Sequence, residues 1–329
     1  MARITLDTGD TGDTFDCADG DTLLRAGLRA GLGLPYECNA GGCGTCKVEV
    51  TSGEVENLWP DAPGLSDRDR RKGRVLACQC RARGDCTVKV RLDPACVPLI
   101  SPVRCKAVLD GSDDITHDIR SFRFRAEGPA RFLPGQYVML SLPDGLERAY
   151  SLANLPNEAG VFEVMVRRVP GGRMTTRLFE GAVDEVTLDG PFGLAHLRPG
   201  ERDVVCLAGG SGLAPMVSIA RAVAAEGAPR RVIFFHGGRT GADVLDVACL
   251  DALTGLGPRL TYVPVVSGEM VRGLAHGMVH EAAQAWLEGT MDRFDYYCAG
   301  PPPMMQALET MLVREGGLPA DRVRFDRFF

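Results

Sequence analysis

Four cysteines in the first quarter of the chain have a spacing that suits an iron–sulfur cluster. Cys38, Cys43 and Cys46 form the pattern C-x4-C-x2-C, and Cys78 follows 32 residues after Cys46. Four thiolates are the ligand set of a [2Fe–2S] centre, and this spacing is one that such centres use. Zinc sites more often pair two short C-x2-C motifs, whereas this segment has one. We predict a [2Fe–2S] cluster held by these four thiols, with zinc or inert buried thiols as the alternatives.

The residues around these cysteines suit a loop that wraps a small inorganic group. Tight wrapping requires unusual backbone angles and N–H groups that face sulfur. Glycine permits both, and three glycines lie between the first three cysteines: Gly41, Gly42 and Gly44. The segment Cys78-Gln79-Cys80 offers two candidates for the fourth ligand. We favour Cys78 and expect Cys80 to be buried as a small apolar side chain.

A second group of residues could bind a flavin dinucleotide. Such a cofactor needs a cation for its diphosphate, an aromatic face for its ring and a small hydroxyl beside N5. One tetrapeptide supplies all three: Arg148-Ala149-Tyr150-Ser151. Further along, a Gly-Gly turn leads into a predicted helix start, whose N–H groups favour a diphosphate. The candidate residues of this segment are Val166, Arg167, Gly172, Arg173, Met174 and Thr175. Thr175 could instead be a helix cap, and Arg167 a solvated charge on a strand.

A third group is typical of a nicotinamide dinucleotide site. Gly209, Gly210, Ser211 and Gly212 follow an apolar strand and precede a predicted helix. In this arrangement backbone N–H groups can approach a nucleotide phosphate. The pattern is not G-x-G-x-x-G, which argues against a plain Rossmann dehydrogenase. Two further segments add candidates at strand ends: Arg239, which could meet the adenosine ribose or be a loop charge, and Cys298, Gly300 and Pro301.

Three stretches of the chain position these groups, and we predict a multidomain protein of α+β and α/β class. Residues 1–93 show short strands, at 3–6, 47–50 and 87–92, around one apolar helix at 22–32. Residues 94–102 contain three prolines and indicate a stiff linker. Residues 103–199 show strand-like runs between Gly/Pro turns, which predict a small antiparallel barrel or sandwich. These runs lie at 103–109, 121–125, 137–142, 161–166 and 185–188.

The last stretch, residues 200–329, alternates apolar strands with helices. Strands are predicted at 204–207, 232–235, 260–266 and 296–299, and helices at 214–226, 245–253, 279–287 and 303–314. This alternation predicts a parallel sheet, of five strands, wrapped by helices.

Composition excludes several classes of protein. Apolar residues make up 45% and charged residues 24%, which are globular values rather than those of a disordered chain. No run of about 18 apolar residues and no signal-type start are present, so we expect a cytoplasmic protein without a membrane span. A net charge of -6 argues against general nucleic-acid binding. Twelve cysteines in a chain without an export signal are not expected to form a disulfide framework.

The motifs together resemble a known family, the electron-transfer reductases of multicomponent oxygenases. The resemblance lies in residues 34–46, Leu-Pro-Tyr-Glu-Cys…Gly-Gly-Cys-Gly-Thr-Cys, and in Leu76-Ala77-Cys78-Gln79-Cys80. Residues 59–65, Trp-Pro-Asp-Ala-Pro-Gly-Leu, are most similar to the ferredoxin reductases of carbazole dioxygenase-type systems. The flavin segments and the turn at 209–215 resemble those of ferredoxin–NADP reductase-like proteins, so the resemblance covers the whole chain.

The resemblance implies a β-grasp ferredoxin domain, an FAD-binding barrel and an NAD-binding domain. It implies FAD rather than FMN, because related reductases with the cluster domain first use FAD. It also implies catalytic roles for three residues. Ser151 would lie beside the flavin, Cys298 beside the nicotinamide C4, and the aromatic Phe329 over the flavin. The alternative for Cys298 is a buried thiol on a strand.

The implied function is transfer of electrons from NADH through FAD to the cluster and on to an external acceptor. That acceptor would be a terminal oxygenase of aromatic-ring hydroxylation or its intermediate ferredoxin. Reductases of di-iron monooxygenases and of sugar-deoxygenation dehydrases share this layout and remain alternatives. A non-enzymatic cluster sensor is disfavoured because the flavin and nicotinamide motifs are intact. We expect a monomer.

Charge is distributed unevenly around the cluster segment. Between residues 68 and 91 the chain has nine cations against Asp69 and Asp85: Arg68, Arg70, Arg71, Lys72, Arg74, Arg81, Arg83, Lys89 and Arg91. Part of this charge could balance the anionic cluster. We predict that the remainder forms a face on which an acidic partner docks, since complementary charge raises association rates.

Overall fold

Residues 1–8, 12–227 and 229–328 are described by the structure, which is a computed structural model of the chain. They form two units. The first contains Met1–Arg104 together with Gly190–Phe192, and the second contains Cys105–Asp189 together with residues 193–328.

The first unit is built on a five-stranded mixed sheet with two short helices. Its elements are β1 (Ala2–Asp7), β2 (Thr14–Cys17), α1 (Leu23–Arg29), β3 (Lys47–Ser52), β4 (Val55–Asn57), α2 (Asp67–Arg71), β5 (Arg74–Leu76), β6 (Cys80–Ala82) and β7 (Cys86–Lys89). The sheet order is β2-β1-β7-β3-β5, with β1 and β7 parallel, and β4 pairs with β6 separately. This mixed sheet with a helix confirms the ferredoxin-type fold class predicted above.

Helix α1 is shorter than the predicted 22–32. Thr22 caps its start by accepting from the Arg25 N–H at 3.3 Å. Gly31 adopts a left-handed φ of 78°, and the Leu32 N–H reaches back to the Gly27 carbonyl oxygen. This C-terminal motif ends the helix.

The second unit begins with an antiparallel sheet of six strands. Its elements are β8 (Val103–Asp114), β9 (Ile119–Ala126), β10 (Tyr137–Ser141), β11 (Glu147–Ser151), β12 (Val161–Arg167), α3 (Arg173–Phe179) and β13 (Glu185–Phe192), in the order β11-β10-β13-β8-β9-β12. Apolar side chains alternate along its strands, and Phe122, Phe124, Val164 and Val166 fill its core. The barrel-type class is therefore confirmed, and the predicted flavin tetrapeptide ends strand β11.

The second unit continues with a parallel sheet wrapped by helices, as predicted. Its elements are β14 (Asp203–Gly209), α4 (Leu213–Ala225), β15 (Val232–Gly238), α5 (Val247–Thr254), β16 (Leu260–Val266), β17 (Ala275–His276), α6 (Val279–Leu287), β18 (Phe294–Gly300), α7 (Pro302–Glu309) and β19 (Val323–Arg327). The order is β17-β16-β15-β14-β18-β19. The two-residue β17 makes a sixth strand beside the predicted five. Helix α7 ends at Glu309 and continues as a π-helical turn to Glu315, where one regular helix was predicted.

Within the described ranges, no helix combines the length and the apolar character that crossing a bilayer requires.

A buried ion pair joins the antiparallel sheet to helix α4. The Arg221 guanidinium lies 2.7 Å from the Glu163 carboxylate, and their side chains are 21% and 12% exposed. Arg221 also donates to the Ala153 carbonyl oxygen at 2.8 Å, and Ser218 donates to Asn154 at the same distance. These contacts hold helix α4, which packs on the parallel sheet, against the antiparallel sheet.

We expect Arg221→Met to lower the free energy of unfolding of the second unit by about 3 kcal/mol, because it leaves the Glu163 carboxylate buried without its cation. Arg131→Met is the control, since the Arg131–Glu158 pair is 62% and 78% exposed and should contribute less than about 1 kcal/mol. Urea unfolding followed by circular dichroism measures both. Equal effects of the two substitutions would contradict the prediction.

Candidate redox cofactor sites

The loop that carries the first three cysteines is shaped by backbone angles that favour glycine. Gly41 and Gly44 have φ angles of 86° and 77°, and Asn39 has 51°. A Cβ on Gly44 would overlap the Gly64 carbonyl oxygen, so this position has no room for a side chain. The Gly64 N–H donates to the Gly41 carbonyl oxygen at 3.0 Å. The loop is thus held by direct backbone contact with the segment around Gly64.

Backbone N–H groups of this loop point at sulfur, as predicted. The Ala40 and Cys43 N–H groups each lie 3.4 Å from the Cys38 Sγ, and the Thr45 N–H lies 3.4 Å from the Cys43 Sγ. The Gln79 side-chain amide reaches the Cys78 Sγ at 3.7 Å. Such hydrogen bonds stabilise anionic sulfur.

The four predicted ligand thiols lie in two contacting pairs. The Cys38 thiol donates to the Cys43 sulfur and lowers the pKa of Cys43 to about 5. The Cys46 thiol likewise lowers the pKa of Cys78. The sulfurs are paired, Cys38 with Cys43 and Cys46 with Cys78. This pairing fits a centre of two irons in which each iron has two protein thiolates. Cys80 is fully buried, and burial raises the pKa of its thiol to about 12, which fits the core role predicted for it.

An exposed apolar pair lies beside this loop. Leu58 and Trp59 are 40% and 43% exposed. A Cβ on Gly41 would lie 3.0 Å from the Trp59 ring, so the indole packs directly on the cysteine loop.

The predicted flavin tetrapeptide places different chemistry on successive residues of β11. Arg148 and Ala149 are exposed, Tyr150 is half-buried against the barrel core, and Ser151 is buried. Burial raises the pKa of Tyr150, so its phenol stays protonated. The Ser151 hydroxyl donates to the Asp326 carboxylate on β19 at 3.0 Å. The hydroxyl predicted beside the flavin thus lies where the two sheets of this unit meet.

The second predicted flavin segment is divided by the structure. Val166 and Met174 are 1% and 2% exposed and belong to the barrel core, so their side chains are not available to a cofactor. The Thr175 hydroxyl contacts the Val169 and Gly172 carbonyl oxygens at 3.3 and 3.2 Å, which closes the turn before α3. Gly172 is half-buried and Arg173 is exposed.

A cavity of about 600 Å³ lies at the carboxyl ends of β14, β15 and β18. Its wall includes the predicted residues Gly210, Ser211, Arg239 and Pro301. This volume is within the range of small-molecule sites, and the carboxyl ends of parallel strands are where such sheets bind nucleotides. Gly212 is buried, and a Cβ at this position would overlap the Ala299 carbonyl oxygen. Gly300 ends β18 beside it.

Arg167, predicted for the flavin, lines this cavity. Its guanidinium pairs with Asp118 at 2.6 Å and with Asp243 at 3.5 Å. Nothing in the local sequence marks Asp118 as its partner, since 49 residues separate them.

The predicted catalytic residue Cys298 does not line the cavity. The Cys298 side chain is 0% exposed and packs with Val205, Leu207 and Met305 in the core, where burial raises the pKa of its thiol. Alternation along β18 turns the neighbouring Ala299 to the other face of the sheet, with Ile119 and Ala153 of the antiparallel sheet. Phe329 lies outside the described residues. Phe328, the residue before it, lines the cavity.

Family models match the chain in three consecutive segments. Residues 7–83 match a 2Fe-2S iron-sulfur cluster binding domain, residues 106–196 an oxidoreductase FAD-binding domain, and residues 206–310 an oxidoreductase NAD-binding domain. These matches confirm the three cofactors predicted from the sequence.

Relatives match over nearly the whole chain. A ferredoxin–NAD(P)⁺ reductase, CarAd, from Metapseudomonas resinovorans is 42% identical over 95% of this chain and 96% of its own. The ferredoxin–NAD⁺ reductase component of an alkene monooxygenase system from Xanthobacter autotrophicus is 39% identical over 96% and 98%.

Solved structures agree with the sequence relatives. The ferredoxin reductase in carbazole 1,9a-dioxygenase superposes with a TM-score of 0.92 at 36% identity, covering 100% of this chain and 98% of that one. An Amycolatopsis cytochrome P450 reductase superposes with a TM-score of 0.84 at 34% identity, covering 100% and 99%. The chain therefore belongs to the ferredoxin–NAD(P)⁺ reductase family, as an oxidoreductase whose cofactors are a [2Fe–2S] cluster, FAD and NAD(H).

Proposed function

We propose that this protein delivers electrons from NADH to the ferredoxin or terminal oxygenase of an aromatic-ring-hydroxylating system. The observation that carries the proposal is the pairing of the four thiols in a chain that also holds the nucleotide cavity. An oxidoreductase with such a cluster passes electrons to another protein. The similarity to the ferredoxin reductase in carbazole 1,9a-dioxygenase over 100% of the chain supports this class of acceptor. The similarity to an alkene monooxygenase component makes a monooxygenase the second candidate.

When bound, FAD would supply two-electron hydride chemistry toward NADH and one-electron chemistry toward the [2Fe–2S] cluster. The chain's own residues bind and orient these groups. Cys38, Cys43, Cys46 and Cys78 would hold the irons. The Ser151 hydroxyl donates its one proton to the Asp326 carboxylate, which leaves the hydroxyl oxygen as an acceptor of defined orientation at the end of β11.

We propose the remaining site residues in two sets. Arg148, Ala149, Tyr150, Ser151, Gly172, Arg173 and Thr175 would contact or shape the FAD site. Arg167, Gly210, Ser211, Gly212, Arg239, Gly300 and Pro301 would do so for NADH. Cys298 is left out because its thiol lies in the core. Phe329 keeps the role proposed from the sequence.

The proposed domain boundaries are 1–93, the linker 94–102, 103–199 and 200–329. The three family matches, at 7–83, 106–196 and 206–310, fall within them. Because its cluster thiols must stay reduced until iron binds, we further propose that the protein acts in the cytoplasm. We also propose that it is a monomer.

We propose that the acceptor docks on the cations that precede and follow Cys78. Seven of the nine predicted cations are exposed: Arg68, Arg71, Lys72, Arg81, Arg83, Lys89 and Arg91. Arg70 is half-buried and structural, since its guanidinium donates to the Pro60 and Ala62 carbonyl oxygens at 3.2 Å each. Arg74 pairs with the buried Asp69 at 3.1 Å. These two cations stabilise the fold, and Arg83 pairs with Glu56 at 3.1 Å, which leaves the other six exposed cations for a partner.

We expect Cys43→Ser to lose the cluster, because a serine hydroxyl is a poor replacement for a thiolate iron ligand. Iron content and visible absorption should fall, and electron transfer to ferredoxin should cease. Anaerobic bleaching of FAD by NADH should persist within about twofold. Cys80→Ala, which removes a buried thiol of the same segment, should keep the cluster. A full cluster spectrum in Cys43→Ser would refute the ligand assignment, and ferredoxin reduction without a cluster would refute the proposed route.

We expect NADH to be preferred over NADPH by about tenfold or more in kcat/KM, since a 2′-phosphate dianion calls for several cations. Arg239 is the cation that follows β15 on the cavity wall. In the same turn the Glu269 carboxylate accepts from the Gly241 N–H at 2.7 Å, which adds negative charge. Steady-state ferricyanide reduction with each coenzyme measures the ratio. Equal or higher efficiency with NADPH would be contrary to the prediction.

We expect reversal of charge at Arg71 and Lys72, each to Glu, to slow electron delivery to an acidic ferredoxin about tenfold at low ionic strength. The difference should shrink as salt screens the charges. Ferricyanide reduction should be unchanged. Arg231→Glu with Arg293→Glu is the control, because it alters net charge equally at exposed sites of the second unit. An equal slowing by both pairs, or by neither, would reject this face as the docking site.

A further inference from the structure

Asp243 lies where the antiparallel sheet, the turn after β15 and the nucleotide cavity meet. Its side chain is 12% exposed, and it lines the cavity with Asp118, Arg167 and Arg239. Its two carboxylate oxygens have different partners, and the proposed cofactor chemistry assigns a role to neither of them.

One oxygen of Asp243 shapes the turn after β15. The Oδ2 atom accepts from the Arg239 N–H at 3.0 Å, the Thr240 N–H at 2.8 Å and the Thr240 hydroxyl at 3.0 Å. Burial alone would raise the pKa of Asp243, but the hydrogen bonds from Thr240 and Arg239 outweigh it and hold the pKa below its usual value. The group is therefore a carboxylate at neutral pH, with one oxygen committed to the turn.

The other oxygen helps to aim the Arg167 guanidinium. The Nη2 atom of Arg167 lies 3.5 Å from the Asp243 Oδ1, and its Nε atom lies 2.6 Å from Asp118. The third nitrogen, Nη1, lies 3.2 Å from the Cβ position of Gly210. Two carboxylates thus occupy two sides of the guanidinium and leave Nη1 facing the glycine-rich turn.

A bound cation is the other occupant that this cluster allows. His117, Asp118 and Asp243 each place a ligand atom within 4.8 Å of the others. However, the Arg167 guanidinium already pairs with both carboxylates, and a metal ion would have to displace that charge. The contacts therefore favour a scaffold for Arg167 over a metal site.

We infer that Asp243 is a positioning residue for NADH. Its carboxylate contacts both the turn after β15 and the Arg167 guanidinium. Through Oδ2 it shapes the turn that would meet the adenosine ribose. Through Oδ1 it holds Arg167 beside the turn that would receive the diphosphate, where a guanidinium suits phosphate oxygens. This inference rests on the proposed function, in that the cavity is taken as the NADH site.

The substitution Asp243→Asn separates the role of Oδ2 in the turn from the role of Oδ1 at Arg167. The three donors of the turn should retain the single amide oxygen, which leaves the amide NH₂ group facing the Arg167 cation. We expect this variant to bind NAD⁺ about tenfold more weakly and adenosine, which lacks the phosphates that Arg167 would face, within about twofold of wild type. Asp243→Ala, which removes both oxygens, should weaken both ligands. Calorimetric titration of the FAD- and cluster-loaded protein measures the binding.

Kinetics and controls distinguish positioning from structural damage. At saturating NADH the kcat for ferricyanide should stay within about twofold of wild type while KM rises. In an Arg167→Lys background, Asp243→Asn should have little further effect on NAD⁺ affinity, since its partner is already altered. Asp246→Asn is the matched control. It is a nearby exposed aspartate that caps α5 through the Cys249 N–H at 2.7 Å, and it should leave NAD⁺ affinity unchanged.

Each outcome decides the inference. Unchanged NAD⁺ affinity in Asp243→Asn would overturn it, and so would weakening of adenosine and NAD⁺ alike, because that pattern assigns Asp243 to the turn alone. If Asp243→Asn does not fold, Asp118→Asn tests the same contact with Arg167, with loss of NAD⁺ but not adenosine affinity in support and unchanged NAD⁺ affinity against. Failure of the wild-type protein to bind NAD⁺ at all would instead refute the proposed function.

Discussion

The nucleotide-binding half of this reductase depends on how closely two backbone segments approach each other. Gly212 packs so tightly on the Ala299 carbonyl oxygen that any side chain would overlap it. This contact seats the glycine-rich turn on the end of β18, and it brings that turn and Pro301 to one wall of the cavity. A residue with a Cβ at this position would push the turn away from the sheet, and the wall would lose its continuity.

The cluster loop follows the same physical rule in a different fold. Gly44 and Gly64 pack backbone on backbone, and left-handed angles at Gly41 and Gly44 turn N–H groups toward sulfur. In both places the chain gives up side-chain packing so that main-chain donors can approach a charged group. Packed apolar cores away from the sites supply the stability that these glycines do not. The layer around Phe122 and Phe124 in the antiparallel sheet is one such core.

Local patterns in the sequence predict the parts of the sites that are local in the chain. The spacing of Cys38, Cys43 and Cys46 lies within one loop, and the glycine-rich turn lies between one strand and one helix. The sequence could not pair Arg167 with Asp118 and Asp243, or Ser151 with Asp326, because these contacts join distant segments. Alternation along β18 also turns Cys298 away from the face on which Ala299 packs, and a one-residue difference in register decides this.

The packing of Trp59 on the cysteine loop gives the molecule an optical property. The chain has two tryptophans, and each unit contains one. Trp59 lies against Gly41 in the first unit, while Trp286 on α6 meets the Phe235 ring edge-on at 6.2 Å in the second. Emission from Trp59 reports on the metal-binding loop, where a nearby iron centre would quench it, and emission from Trp286 reports on the nucleotide-binding sheet. Replacement of either indole by phenylalanine therefore leaves a single tryptophan, whose emission reports on one of the two units alone.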